Sequence, residues 1–180
     1  LKKNNNILIS YLSIGEAESY RPYFNKLPKD LLIESNKDWE GNFRVKYWDS
    51  RWQSVIVEYL NEVLAAGFDG VYLDIVDAFD YYEEGKEKRQ KALEMFKFVK
   101  KLHKHAKATN PDFFFIQQNG LSIISYMEDE KDWFELIDAV GIESMFFSGA
   151  RKMNNPFKLD ESIIKYLSVY QKEDIPVFSV

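Results

Sequence analysis

The sequence predicts an α/β chain, a series of βα units laid around a parallel sheet. Three observations carry this prediction. Short runs rich in Val, Ile, Tyr and Phe, bounded by Gly or Pro, alternate with longer stretches whose apolar residues recur at three-and-four spacing. The short runs are nearly continuous in apolar residues, as expected of strands covered on both faces. Several of them end in a carboxylate or an amide, at the sheet edge where helix-covered parallel sheets gather their chemistry.

Taken in order, residues 7–14 (ILISYLSI) read as the first strand, running into Gly15-Glu16-Ala17-Glu18. Residues 19–52 form the longest irregular stretch, broken by Pro22, Pro28 and Gly41. Its aromatic residues, among them Tyr20, Trp39, Tyr47, Trp48 and Trp52, argue for an ordered wall beside a site rather than disorder. Residues 51–66 place Trp52, Val55, Ile56, Tyr59, Leu60, Val63 and Leu64 on one helical face, and Gly67 suits the C-terminal cap. Gly70 then turns the chain into a second strand that ends at Asp74. Residues 78–85 read as a loop with room for a helical turn. A long helix follows over 86–108, with Ala92, Met95, Phe96, Val99, Leu102 and Ala106 inward and Asn110-Pro111 as its stop.

Residues 113–117 are a third strand delivering Gln118-Asn119-Gly120, followed by a short helical segment through Trp133, Phe134, Leu136 and Ile137. Residues 138–142 are a fourth strand with Glu143 at its tip. After a loop over 144–157, Asp160 caps a helix through about Tyr170, with Ile163, Ile164, Leu167 and either Val169 or Tyr170 inward. Residues 176–180 read as a fifth strand. The 180 residues are expected to form a single domain, 1–180. Five units do not close an eight-stranded barrel, which typically needs about 250 residues. The alternatives are a smaller open sheet or the middle of a longer barrel, and the stop inside an apolar strand favours the second.

Composition narrows the chemistry. A net charge of −5 argues against a nucleic-acid surface, which needs a basic excess on one face. No cysteine is present, which excludes disulfides, thiolate metal sites and cysteine nucleophiles. No apolar run is long enough for a membrane span, and the first six residues are not a signal peptide. His103 and His105, two apart on a helix, are expected at the surface. There is no G-x-S-x-G elbow, glycine-rich phosphate loop or H-E-x-x-H.

The strand ends offer Glu16 with Glu18, Asp74 with Asp77, Asn119, and Glu143. Gathering acids on one rim is unfavourable unless a ligand, proton or metal offsets the repulsion. Two carboxylates flanking a bond are the minimum equipment for glycoside hydrolysis, and flat aromatics such as Tyr20, Tyr47, Trp48, Trp52 and Phe146 suit sugar faces. A non-catalytic carbohydrate-binding barrel, and a divalent metal held by Glu16, Glu18, Asp74 and Glu143, remain alternatives.

Four ordered motifs carry a resemblance across nearly the whole chain: YLSIGEAE at 11–18 with Arg21, VKYWD at 45–49 with Trp52, GFDGVYLD at 67–74, and GIE at 141–143. Together they resemble glycoside hydrolase family 114, the endo-α-1,4-polygalactosaminidases and related secreted proteins. The resemblance implies a (β/α)8 TIM barrel, with the five strands read here as its third to seventh. It implies Asp74 as nucleophile, Glu143 as acid/base, and Glu16, Glu18, Tyr47, Trp48, Asp77 and Asn119 in the sugar-binding groove, with no cofactor and no metal. The implied partner is an α-1,4-linked, galactosamine-containing polysaccharide or oligosaccharide, and the implied location is extracellular or at the cell envelope.

Overall fold

Five apolar runs pair side by side as one parallel sheet in the computed structural model, which describes residues 6–143, 145–147, 155, 157 and 159–179. Residues 1–5, most of the expected 144–157 loop and Val180 lie outside the described residues. The strands are β1 (Ile9–Ser13), β5 (Gly70–Asp74), β6 (Phe114–Gln118), β7 (Ala139–Ile142) and β8 (Val177–Ser179), in spatial order β1-β5-β6-β7-β8. Each strand therefore lies beside the next parallel strand in sequence. With helices between them, that is the winding of a (β/α)8 barrel rather than of a doubly wound sheet, and the chain is a partial barrel.

The helices form where the apolar spacing predicts. Helix α1 (Ser50–Ala65) starts at Asp49, whose side chain accepts from Arg51 N–H at 2.9 Å, and it buries Trp52, Ile56, Leu60 and Val63. Gly67 follows it at φ 80°, a left-handed value that a residue with Cβ adopts only at a cost. Helix α2 (Lys86–Thr109) ends at Asn110, held extended ahead of Pro111. It buries Phe98 in addition to the expected face, because Phe98 lies on the ridge between Met95 and Leu102; Phe96 is only half-buried, near the Trp133 ring. The expected segment after β6 is a 3-10 turn (Leu121–Tyr126) and a short α3 (Lys131–Phe134). Helix α4 (Glu161–Lys172) is capped by Asp160 as expected and buries Leu167 and Tyr170, while Ile164 faces outward.

The sheet has two unlike faces. Leu12, Val71, Leu73, Phe115, Val140 and Ile142 point to the helices and are essentially inaccessible. The alternate residues Tyr11, Tyr72, Asp74 and Ile116 point to the barrel interior and stay partly open, since the described residues provide no opposite wall. The expectation of strands covered on both faces thus fails on the inner side. Asp69 and Asp138, at the strand beginnings, accept backbone N–H bonds from Leu8 and Phe115 and tie the bottom of the sheet together.

The stretch expected to be irregular contributes two strands of a second sheet, β3 (Leu32–Ser35) and β4 (Asn42–Val45), which join β2 (Glu16–Glu18) just before it, antiparallel in the order β2-β4-β3. It stands on the C-terminal rim of the parallel sheet, directly after β1. Its base is held by Trp52, whose indole N–H donates to the Ile14 carbonyl at 2.8 Å and whose ring meets Tyr23 edge-on at 5.7 Å.

Candidate active site

The register sets the inner face of the rim. Ser13 pairs with Asp74, Tyr11 with Tyr72, and Gln118 with Gly141, so Asp74 and the residue two past Gly141, Glu143, share one side of the sheet. A cleft of about 710 Å³ opens there. It takes in Glu16, Glu18, Asp74, Asp77, Asn119 and Glu143, together with Tyr11, Tyr20, Tyr72 and Trp39.

Asp74 is half-buried at the end of β5 and accepts a hydrogen bond from the Tyr11 hydroxyl. Burial raises its carboxyl above the ordinary range; bonds from Tyr11 and the Ile75 N–H oppose this, and the charges of Glu143 and Glu16 add to it. Ile75 has φ 59°, ψ 38°, uncommon for a β-branched residue, and this left-handed step sends the chain from the strand into the 3-10 turn Val76–Tyr81. Gly15 leaves room for that step. A Cβ there would lie 2.6 Å from Ile75 Cγ2 and 2.8 Å from Ala78 Cβ.

A second left-handed step serves Glu143. Asn119, at φ 50°, donates its N–H to Gly141 O at 2.9 Å, and its Oδ1 accepts from Glu143 N–H at 3.1 Å. Buried Gln117 holds Asn119 in place: its amide donates to Asn119 O at 2.5 Å, and its Oε1 accepts from Trp133 Nε1 at 2.8 Å and Tyr170 Oη at 3.1 Å. The tip of β6 thereby fixes the backbone of the tip of β7.

The other acids have different surroundings. Glu16 is buried, its oxygens accepting from Asn36 Nδ2 at 2.9 and 3.2 Å, Asn42 Nδ2 at 3.4 Å and Tyr81 Oη at 3.1 Å. Glu18 is also buried and accepts from Tyr20 and, at 2.7 Å, from Arg21 Nε. These oxygens are committed to protein donors, and among the described residues no three His, Cys, Asp or Glu side chains converge on one ion position. Asp77 differs. Burial first, then Asp80 and Asp74, push its carboxyl up to about 7. Tyr72, in the same cleft, carries a buried hydroxyl without a hydrogen-bond partner among the described residues, pushed up to about 12 by burial and by Glu143 and Asp74.

Two residues expected in the groove lie outside it. Tyr47 is buried and donates to Lys91 O at 3.0 Å, and Trp48 packs between Tyr47 and Tyr82 beneath the Lys91 ammonium. Trp52 is core, and His103 is half-buried against Phe115 instead of fully at the surface. The reason is common to the aromatics: spacing in a segment without helical or strand period does not say which face a ring will take. Tyr11 and Tyr72 are rim residues that sequence reasoning missed, while Trp39 stands in the wall expected beside the site. Both carried a signal, since each sits two residues before the end of its strand and the two are in register.

Comparison with known proteins bears on the same chain. An uncharacterized protein of Deinococcus radiodurans is 36% identical over 177 residues, covering 96% of this chain and 55% of the relative. An uncharacterized protein of Methanocaldococcus jannaschii is 36% identical over 178 residues, covering 96% and 50%. The chain thus spans about half the length of the curated relatives it matches. Among solved structures, Aspergillus fumigatus Ega3 in complex with galactosamine aligns with TM-score 0.77 at 21% identity, covering 99% of this chain and 62% of that one. The glycoside hydrolase domain of PelA from Pseudomonas aeruginosa aligns with TM-score 0.76 at 15% identity, covering 98% and 67%. These last two likenesses speak to the fold. The profile of Glycoside-hydrolase family GH114 matches residues 1–180, and the chain belongs to that family.

Proposed function

We propose that the protein is a glycoside hydrolase acting on α-1,4-linked, galactosamine-containing polysaccharide, with Asp74 as nucleophile and Glu143 as acid/base. One observation carries this reading: two carboxylates from strands β5 and β7 line a single cleft on the C-terminal rim of a parallel sheet. Asp74 attacks the anomeric carbon while the Glu143 carboxylic acid gives its proton to the departing glycosidic oxygen. Glu143, now a carboxylate, takes a proton from water, and the resulting hydroxide displaces Asp74 from the sugar with net retention. Tyr11 holds the attacking carboxylate in place. The Tyr72 hydroxyl, unpartnered among the described residues, supplies a donor and acceptor for a sugar hydroxyl or amine. Family membership supports the reaction class, and galactosamine bound to Ega3 supports the sugar. Acids around the cleft suit a polysaccharide that is cationic where deacetylated. Action on such a polymer implies a place outside the cell or at its envelope; no helix among the described residues is long and apolar enough to cross a membrane.

The test is product analysis on partly deacetylated galactosaminogalactan, with the anomer of the fresh product read by NMR. Wild type is expected to release oligosaccharides, and Asp74→Asn and Glu143→Gln each to lose about a hundredfold or more in rate. Cleavage left intact in both variants refutes the assignment. Binding without shorter products shows a carbohydrate-binding barrel instead.

A further inference from the structure

The antiparallel sheet ends in a turn over 36–41 whose bracing is unusually complete. Asn36 Oδ1 accepts from Asp38 N–H at 2.9 Å and Trp39 N–H at 3.1 Å, and Trp39 O accepts from Asn42 N–H at 3.1 Å. The amides of Asn36 and Asn42, one on each side of the turn, both donate to the buried Glu16 carboxylate. Burying a carboxylate is costly unless it is fully bonded, and here its bonds fix the backbone that carries Trp39. The Trp39 side chain is 57% exposed. Exposure of one large apolar residue means little by itself. Its position means more. A second cleft of about 400 Å³ lies beside the acid-lined one, and the two share Trp39, Ile75 and Asp77 in their walls.

We propose that Trp39 is a glycan-stacking platform joining the two clefts, so that a chain of at least two sugar units is held from the acid pair across the indole into the neighbouring cleft. The second cleft adds Lys37, Asp38 and Arg44, polar groups suited to ring hydroxyls. The indole offers a flat apolar face to the C–H side of a sugar. Glu16 is a positioning residue: it acts through the turn and does not touch the sugar. This inference rests on the saccharide reading of the site but not on hydrolysis.

Fluorescence titration separates the two. Of the four tryptophans, Trp52 and Trp133 are buried and Trp48 is covered by Lys91, so a ligand-dependent signal reports Trp39. The probes are α-1,4-galactosamine oligosaccharides of increasing length and galactosamine itself, with calorimetry as a second readout. Wild type is expected to show a fluorescence change that strengthens with ligand length. Trp39→Phe and Trp39→Ala should remove it, and Trp39→Ala should weaken binding of a tetramer about thirtyfold, more than it weakens the monomer, at an unchanged Tm. Glu16→Gln should reduce the same length dependence, an effect that a loss of stability alone would not produce. Length dependence and polymer KM unchanged in Trp39→Ala overturn the platform while leaving hydrolysis standing. Wild type that binds with the Trp39 signal but cuts nothing refutes hydrolysis and leaves the platform standing. No oligosaccharide binding by wild type overturns the platform too.

Discussion

Asp77 carries a titration that should be visible in the stability of the protein. Its carboxyl ionises at about 7 in the folded chain against an ordinary 3.8, because burial and the charges of Asp80 and Asp74 disfavour the carboxylate. At about 1.36 kcal/mol per pH unit, that difference corresponds to about 4 kcal/mol. The group is only half-buried and opens on the cleft, so about half of this, ~2 kcal/mol, is the expected effect. The sign follows from proton binding. The folded state holds this proton more tightly than the unfolded chain, so the contribution is fully present below about pH 3.8 and is lost as pH rises through about 7. Asp77→Asn is neutral throughout and lacks that loss. Urea unfolding of both proteins between about pH 5 and about pH 8 should show the variant gaining on wild type by ~1.3 kcal/mol, the share of that loss that falls above pH 5. Asp74 and Asp80 remain in both proteins, so the difference reports Asp77 together with its coupling to these two. A difference that is flat with pH, or one that favours wild type at the alkaline end, refutes the reasoning.

Three further substitutions test the supports of the rim. Gly15→Ala drives a methyl into Ile75 and Ala78 and should cost about 1–3 kcal/mol, read by urea unfolding; unchanged stability would show that the step after Asp74 yields freely. Gln117→Leu strands the buried Trp133 N–H and Tyr170 hydroxyl and should cost about 3 kcal/mol, with a near-neutral result counting against Gln117 as their anchor. Asn119→Gly keeps the positive φ but removes the acceptor for Glu143 N–H. It should slow polysaccharide cleavage about tenfold while changing stability by less than about 1 kcal/mol, and full activity would separate Glu143 from this tether.

Much of the fold was legible because it follows from local rules. Asp160 caps its helix, Gly67 and Asn110-Pro111 stop theirs, and apolar residues at three-and-four spacing name the buried faces of α1 and most of α2. Phe96 and Ile164 were expected inward and are half-buried and exposed, and buried Phe98 was not named, because the angle at which a helix meets its neighbours is not written in its own period. The small antiparallel sheet was missed for a related reason. Its strands are three or four residues long, largely polar, and pair across gaps in the chain, so no alternation accumulates.

For the rim, sequence alone determined which residues stand at the ends of strands, because β-rich runs and their punctuation are local properties. Only the tertiary structure decided what those ends do to one another. Glu16, Asp74 and Asp77 are carboxylates at the same edge, yet Glu16 is bonded into a brace, Asp74 is held by Tyr11 across the sheet, and burial with the charges of Asp80 and Asp74 holds the proton of Asp77 to about 7. The physical reason is that burial and hydrogen-bond partners set the behaviour of an ionisable group. Both come from segments distant in sequence that the fold brings within a few ångströms.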